Sequence, residues 1–174
     1  MSGVGLRIVL DQPEIPGNTG NIIRLAAVAG FELHIAGPTL FDFSDAKLKR
    51  AGLDYHDLAV MTEHEDLEAA YAHLGVSSNL VTPPPGTGEA AAARVFAFTG
   101  EGSTAHTDVS YRPADVLLFG RESTGLDTSV KEDPRVTGTV RIPMLPGRRS
   151  LNLANSVSIA VYEAWRQCRF NGAV

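Results

Sequence analysis

The chain has one cysteine, Cys168, among 174 residues, so no internal disulfide can form and a packed core must supply the stability. At this length about 70% of the unfolded surface is buried on folding, which needs neither disulfide nor metal. Histidine and cysteine do not recur at zinc-ligand spacing, and no metal is expected. No stretch approaches the roughly 18 consecutive apolar residues of a membrane span. Met1 to Arg7 also lacks the basic segment and long apolar run of an export signal. Arg148-Arg149 lies too deep in the chain to be a twin-arginine signal. A cytoplasmic protein with no membrane partner is the expectation. An excess of positive charge is missing too: the net charge is −5, which argues against nonspecific coating of nucleic acid. Local cations at Lys47, Lys49, Arg50, Arg148, Arg149, Arg166 and Arg169 still offer places for phosphate.

Several catalytic signatures are absent as well. Without G-x-x-x-x-G-K-[ST] there is no P-loop. Without G-x-S-x-G nothing supports a hydrolase nucleophile elbow. Gly100-Glu101-Gly102-Ser103-Thr104-Ala105 fits a dinucleotide fingerprint, but His106 to Pro113 has no helical period. The helix N-terminus that a pyrophosphate requires is therefore missing, which argues against a nicotinamide or flavin site. The histidines, His34, His56, His64, His73 and His106, show no ligand-like pairing and read as surface or half-buried structural residues.

What is present is an alternation of short apolar runs and helical patterns, the mark of a parallel α/β sheet in a single domain spanning 1–174. Strands are predicted at Leu6–Leu10, Leu33–Ala36, Leu58–Met61, Val95–Thr99, Val116–Phe119 and Val140–Met144. Helices are predicted from Asn18 to Ala29, stopped by Gly30, and from Ser44 to Arg50. A third follows the capping box Thr62-Glu63-His64-Glu65 and ends at Gly75. The longest, Asn152 to Arg169, carries Leu153, Val157, Ala160, Val161, Ala164 and Cys168 as one apolar stripe. Val76 to Arg94, with three prolines and an alanine run, reads as a surface excursion.

Three segments hold polar side chains where packing would not put them. In Pro13 to Leu25, two prolines and Gly17 lead into a helix on which Asn18, Asn21 and Arg24 recur every third residue. Asparagine and arginine together suit a ribose or a polyanion, with N-capping by Asn18 as the plainer reading. In Leu118 to Leu126, a buried strand ends at Gly120 and a charged pair follows, at the strand end where open α/β sheets bind ligands. In Ile142 to Val157, two prolines, Gly147 and two arginines lead into a helix rich in small polar residues. There Ser150 or Asn152 can serve as its cap.

Taken in order, these segments resemble the three motifs of the SPOUT methyltransferase superfamily, SpoU branch. In particular they resemble its small bacterial tRNA (cytidine/uridine-34)-2′-O-methyltransferases. Ala51-Gly52-Leu53-Asp54-Tyr55 and Val161-Tyr162-Glu163-Ala164-Trp165-Arg166 extend the likeness, whereas Arg121 departs from the proline or small residue usual before the glutamate.

The resemblance implies an α/β, parallel-sheet fold with a C-terminal trefoil knot. It implies S-adenosylmethionine as cofactor, contacted by Phe98, Gly120, Ile142, Ser150 and Leu151. The implied substrate is tRNA, contacted by Asn18, Asn21 and Arg24, and Arg24 is the implied catalytic residue. The implied assembly is a homodimer packed through its first and last helices, with Arg24 of one protomer near the cofactor of the other. The alternatives are a catalytically silent RNA-binding or assembly protein of the same fold, and a 2′-O-methyltransferase acting elsewhere on RNA.

Overall fold

The computed structural model describes residues 5–41, 61–77 and 93–174. The helix expected at Ser44–Arg50, the segment Lys49–His56 and most of Leu58–Met61 and Val76–Arg94 lie outside them.

The strands are β1 (Arg7–Asp11), β2 (Glu32–Ala36), β3 (Met61–His64), β4 (Val95–Phe98), β5 (Thr104–Ala105), β6 (Val116–Phe119) and β7 (Val136–Arg141). Among the described residues they form one seven-stranded sheet in the order β3-β2-β1-β6-β4-β7-β5. Every pairing is parallel. The chain starts at β1, runs outward to β3 and continues on the other side of β1. That order creates a switch point between β1 and β6, where open α/β sheets leave a crevice beyond their carboxyl ends.

Side chains alternate across the pleat. Ile8, Leu10, Phe96, Phe98, Leu117 and Phe119 point to one face, where they pack with α1 (Pro16–Ala29) and the long C-terminal helix, Leu153–Gln167. Val9, Val95, Ala97, Val116 and Leu118 point to the other, toward α2 (Leu67–Leu74). Both faces are covered, which is why the strands read as unbroken apolar runs. A one-turn helix, α3 (Thr128–Lys131), precedes β7, and the C-terminal helix is α4. On α4 the stripe Leu153, Val157, Ala160, Val161 and Ala164 is buried, and Cys168 is the half-buried C-cap. Each fully buried valine or leucine contributes about 1.5–3 kcal/mol of transfer free energy.

Several boundaries differ from expectation, the last strand for one starting at Val136 and not at Val140. Helix α1 begins at Pro16, with Ile15 as a cap that makes no side-chain hydrogen bond. Proline fits the first helical position because its fixed φ is already helical and its missing N–H is not needed there. Residues 62–64 belong to β3, and the cap of α2 is Asp66, whose carboxylate accepts from the Ala69 N–H at 2.8 Å. Pairing with β2 therefore outweighs the local capping pattern at Thr62. The last strand ends at Arg141, not Met144, since Pro143 has no N–H to extend a ladder.

His34, expected to be surface or half-buried, is 2% exposed on β2, with its Nδ1 2.9 Å from Nε2 of His64 on β3. His73 of α2 closes a triangle of rings, with centroids 5.2 to 5.6 Å apart. Burial first, and His64 second, depress the His34 pKa from 6.5 to about 4, against the pull of Glu32. His34 is therefore neutral in the fold and charges more readily when unfolded. Its contribution is fully present above about pH 6.5 and is lost as pH falls toward 4. Lowering the pH from 7.5 to 5.0 is expected to cost about 2 kcal/mol of unfolding free energy through this group. Urea titrations at the two pH values measure the loss. His34→Gln, which does not titrate, is expected to remove most of the difference, and an unchanged difference would exclude His34 as its source.

Candidate active site

A cavity of about 740 Å³ opens beyond the carboxyl ends of β4, β6 and β7. Phe98 ends β4 and Phe119 ends β6. Their rings stack at 4.6 Å between centroids and make an apolar floor. Gly120 follows β6 directly, and Ile142 follows β7. Ser150 and Leu151 come from the segment that leads to Asn152, the cap of α4. All five residues named for the cofactor on the strength of the family likeness thus line one cavity.

The loop after β6 forms the upper wall, and Gly120 sets its shape. A Cβ on Gly120 would overlap the backbone of Gly125 and Leu126, so the chain doubles back on itself there. The Gly125 N–H donates to the Arg121 carbonyl at 2.9 Å and closes the turn, with Gly125 at φ 72°. The space beside Gly120 is thus filled by the loop's own backbone. Arg121, the departure from the usual motif, fits without disturbance. Its guanidinium donates to Gln12 Oε1 at 2.8 Å and pairs with Asp127 at 3.2 Å.

The same loop clasps the start of α1. Glu122 accepts from the backbone N–H groups of Glu14 at 2.7 Å and Ile15 at 3.2 Å, and from Asn18 Nδ2 at 3.0 Å. In return the Glu14 carboxylate accepts from the Ser123 N–H and hydroxyl, both at 2.9 Å. Those two bonds hold the Glu14 carboxyl below its usual pKa. A carboxylate at the N-terminal turn of α1 also faces the positive end of the helix dipole. The sequence marked Glu122 only as half of the charged pair after Gly120, and did not single out Glu14 or Ser123. Three-residue polar stretches carry no signal of partners more than a hundred positions away.

The first motif divides. Asn18 is 7% exposed, in the cavity wall, and does not cap α1. Asn21 and Arg24 are exposed on α1 and are not among the described residues lining the cavity. A step of three residues falls about 60° short of a full helical turn. The three side chains therefore drift from core to solvent instead of forming one patch.

The third motif contributes Met144, Arg149, Ser150, Leu151 and Asn152 to the cavity, with Arg148 and Arg149 exposed. Arg166 is committed to a bidentate pair with Glu163 at 2.8 Å. Behind β4, the glycine pattern at Gly100 leads to a turn, the two-residue β5 and a 3-10 turn at His106–Asp108. No helix N-terminus follows it, so the pyrophosphate site has no seat. Gly102 is instead pressed against the backbone of Val140 and Arg141. Among the described residues no cluster of His, Cys, Asp and Glu can hold a metal, and no helix is long and apolar enough to cross a membrane.

Apolar side chains at strand ends, a wall of loop backbone and polar groups at Ser150 and Arg149 suit a nucleoside with a charged extension. The sequence profile of the SpoU rRNA Methylase family matches residues 5–162. The tRNA (cytidine(34)-2′-O)-methyltransferase of Escherichia coli (strain K12) is 47% identical over 97% of this chain and 98% of its own. That of Methylovorus glucosotrophus (strain SIP3-4) is 46% identical over 96% and 98%. A solved structure described as giving structural insights into the 2-OH methylation of C/U34 on tRNA superposes with a TM-score of 0.78. It is 42% identical and covers 95% of this chain and 97% of that one. An AdoMet-bound rRNA methyltransferase from Sinorhizobium meliloti has a TM-score of 0.73 at 25% identity, covering 95% of this chain and 60% of that one.

Proposed function

This chain belongs to the SpoU rRNA Methylase family, and from that membership we propose how it acts on tRNA. It is a tRNA 2′-O-methyltransferase that transfers a methyl group from S-adenosylmethionine to the ribose 2′-hydroxyl of nucleotide 34, cytidine or modified uridine. The observation that carries this reading is the convergence of Phe98, Gly120, Ile142, Ser150 and Leu151 on one cavity beyond the carboxyl ends of β4, β6 and β7.

The cavity fits the cofactor: Phe98, Ile142 and Leu151 give it an apolar lining for adenine, and the loop 120–126 brings backbone groups for a ribose. When bound, the cofactor supplies an electrophilic methyl on a positively charged sulfur. The residues of the chain then have two tasks. Phe98, Ile142, Leu151 and the loop after Gly120 keep water out and fix the direction of approach; positioning of this kind is worth effective molarities of about 10⁵–10⁸ M. Arg24 grips the phosphate beside the target ribose and stabilises the negative charge that develops on the attacking oxygen. An arginine side chain offers only donors, so the hydroxyl proton would leave to solvent as the methyl is taken up, with S-adenosylhomocysteine as the other product.

Arg24 lies outside the cavity lining of its own chain, which supports a homodimer in which it serves the partner's site. Val28 on α1 and Ile159 and Tyr162 on α4 are exposed apolar side chains, an apolar surface for such a contact. Family membership also supports a C-terminal trefoil knot, one domain over 1–174, and a place in the cytoplasm, where tRNA is modified.

The test is mass spectrometry of ribose-methylated nucleosides in tRNA from cells with and without the protein. A 2′-O-methyl group at position 34 is expected to disappear with the protein and return when purified protein and S-adenosylmethionine are added. Methylation at another position would refute the target and leave the chemistry standing.

A further inference from the structure

We infer that Asn18 is a positioning residue: its amide ties the wall of the cofactor cavity to the helix that carries Arg24. The inference rests on the methyl-transfer reading above. Asn18 Nδ2 donates to Glu122 Oε1 at 3.0 Å, and Asn18 Oδ1 accepts from Asn152 Nδ2 at 2.8 Å. Glu122 is anchored by the Glu14 and Ile15 N–H groups, and Asn152 accepts from the Asn155 N–H at 3.3 Å as the cap of α4. One buried amide thus joins the loop after β6, the start of α1 and the start of α4. Each of these segments lines the cavity, through Glu122, Ile15 and Asn152.

The chemistry requires an amide at this position. A carboxylate only accepts, so the group facing Glu122 must donate, while the group facing the Asn152 NH₂ must accept. Asparagine does both. Aspartate would set a second carboxylate against Glu122, and alanine would remove both links at once. With both ends of its amide engaged, Asn18 acts on RNA through the placement of α1. Arg24 stands six residues further on, about 9 Å along the axis, so a tilt at the first turn moves its guanidinium.

The experiment uses Asn18→Asp, Glu122→Gln and the double variant in the full-length protein. Calorimetry with S-adenosylmethionine and single-turnover methylation of tRNA are run from pH 6 to 8, each variant compared with the native protein at the same pH. Asn18→Asp is expected to weaken cofactor binding by about 10–100-fold at pH 8. It should recover toward pH 6, because two facing carboxylates take up a shared proton. In the double variant the new amide at position 122 donates to the new carboxylate at position 18, restoring that bond with its direction reversed while giving up the weaker Ile15 N–H bond to the same Glu122 oxygen. Its affinity at pH 8 is expected to exceed that of Asn18→Asp by about tenfold. The double variant also keeps the test decisive if the like-charge pair alone prevents folding. An unchanged affinity in Asn18→Asp would overturn the inference, as would a pH-independent loss that the double variant does not relieve. Failure of the native protein itself to bind the cofactor would overturn the methyl-transfer reading, and is separately visible in the native titration.

Discussion

Replacing Arg24 with alanine is expected to lower single-turnover methylation by roughly 10²–10³, the loss typical when one preorganised donor is removed from a reacting oxygen. Cofactor affinity should stay near native, since Arg24 is not among the residues lining the cavity of its own chain. A denaturant titration of the variant reads any change in unfolding free energy separately from the rate. Arg24→Lys is expected to recover little: lysine keeps the charge and loses the planar fork that grips phosphate. The decisive measurement is the methylation rate at saturating cofactor, and a near-native rate for Arg24→Ala would end the catalytic assignment.

Replacing Gly120 with valine is expected to abolish measurable binding of S-adenosylmethionine in calorimetry. The first carbon of the new side chain meets the backbone of Gly125 and Leu126. The turn closed by the Gly125 N–H and the Arg121 carbonyl must therefore open. Residues 121 to 126 line the cavity, so its wall moves with them. Overpacking of this kind costs typically about 1–3 kcal/mol of stability, which a denaturant titration reads separately from binding. Gly120→Ala already carries the offending carbon and should show much of the same loss. Unchanged cofactor affinity in either variant would move the binding site elsewhere.

The two variants also test each other. If Arg24 serves the partner's cavity, a protomer with Arg24→Ala and one with Gly120→Val build one working site between them. Random pairing of equal amounts in a symmetric dimer is then expected to restore about a quarter of native turnover. If both residues act within one chain, the mixture stays as inactive as its parts.

Much of this was readable from the residues alone. Parallel strands covered on both faces must be apolar throughout, so β1, β4 and β6 stand out as Ile8-Val9-Leu10, Val95-Phe96-Ala97-Phe98 and Val116-Leu117-Leu118-Phe119. The stripe on α4 follows from helical spacing in the same way. Motif order pointed to the family, and through it to Phe98, Gly120, Ile142, Ser150 and Leu151 as a set. Local patterns failed where a distant partner competed. The capping box at Thr62 lost to pairing with β2, and the expected cap at Asn18 lost to Pro16 at the head of α1. His34, His64 and His73 carry no common spacing, yet register and helix packing bring their rings together.

Chemistry and order were thus determined by the sequence: which residue types are available, which strands are buried, and which loops follow strand ends. The tertiary structure alone decided which polar groups meet. Glu14 with Ser123, Glu122 with the start of α1, and Asn18 with Asn152 are each separated by more than a hundred residues. A hydrogen bond acts over about 3 Å of space and leaves no periodicity along the chain. The fold also separated Asn18 from Arg24, which look equivalent at a spacing of three. A helix turns about 100° per residue, so the first faces a cavity and the second faces solvent.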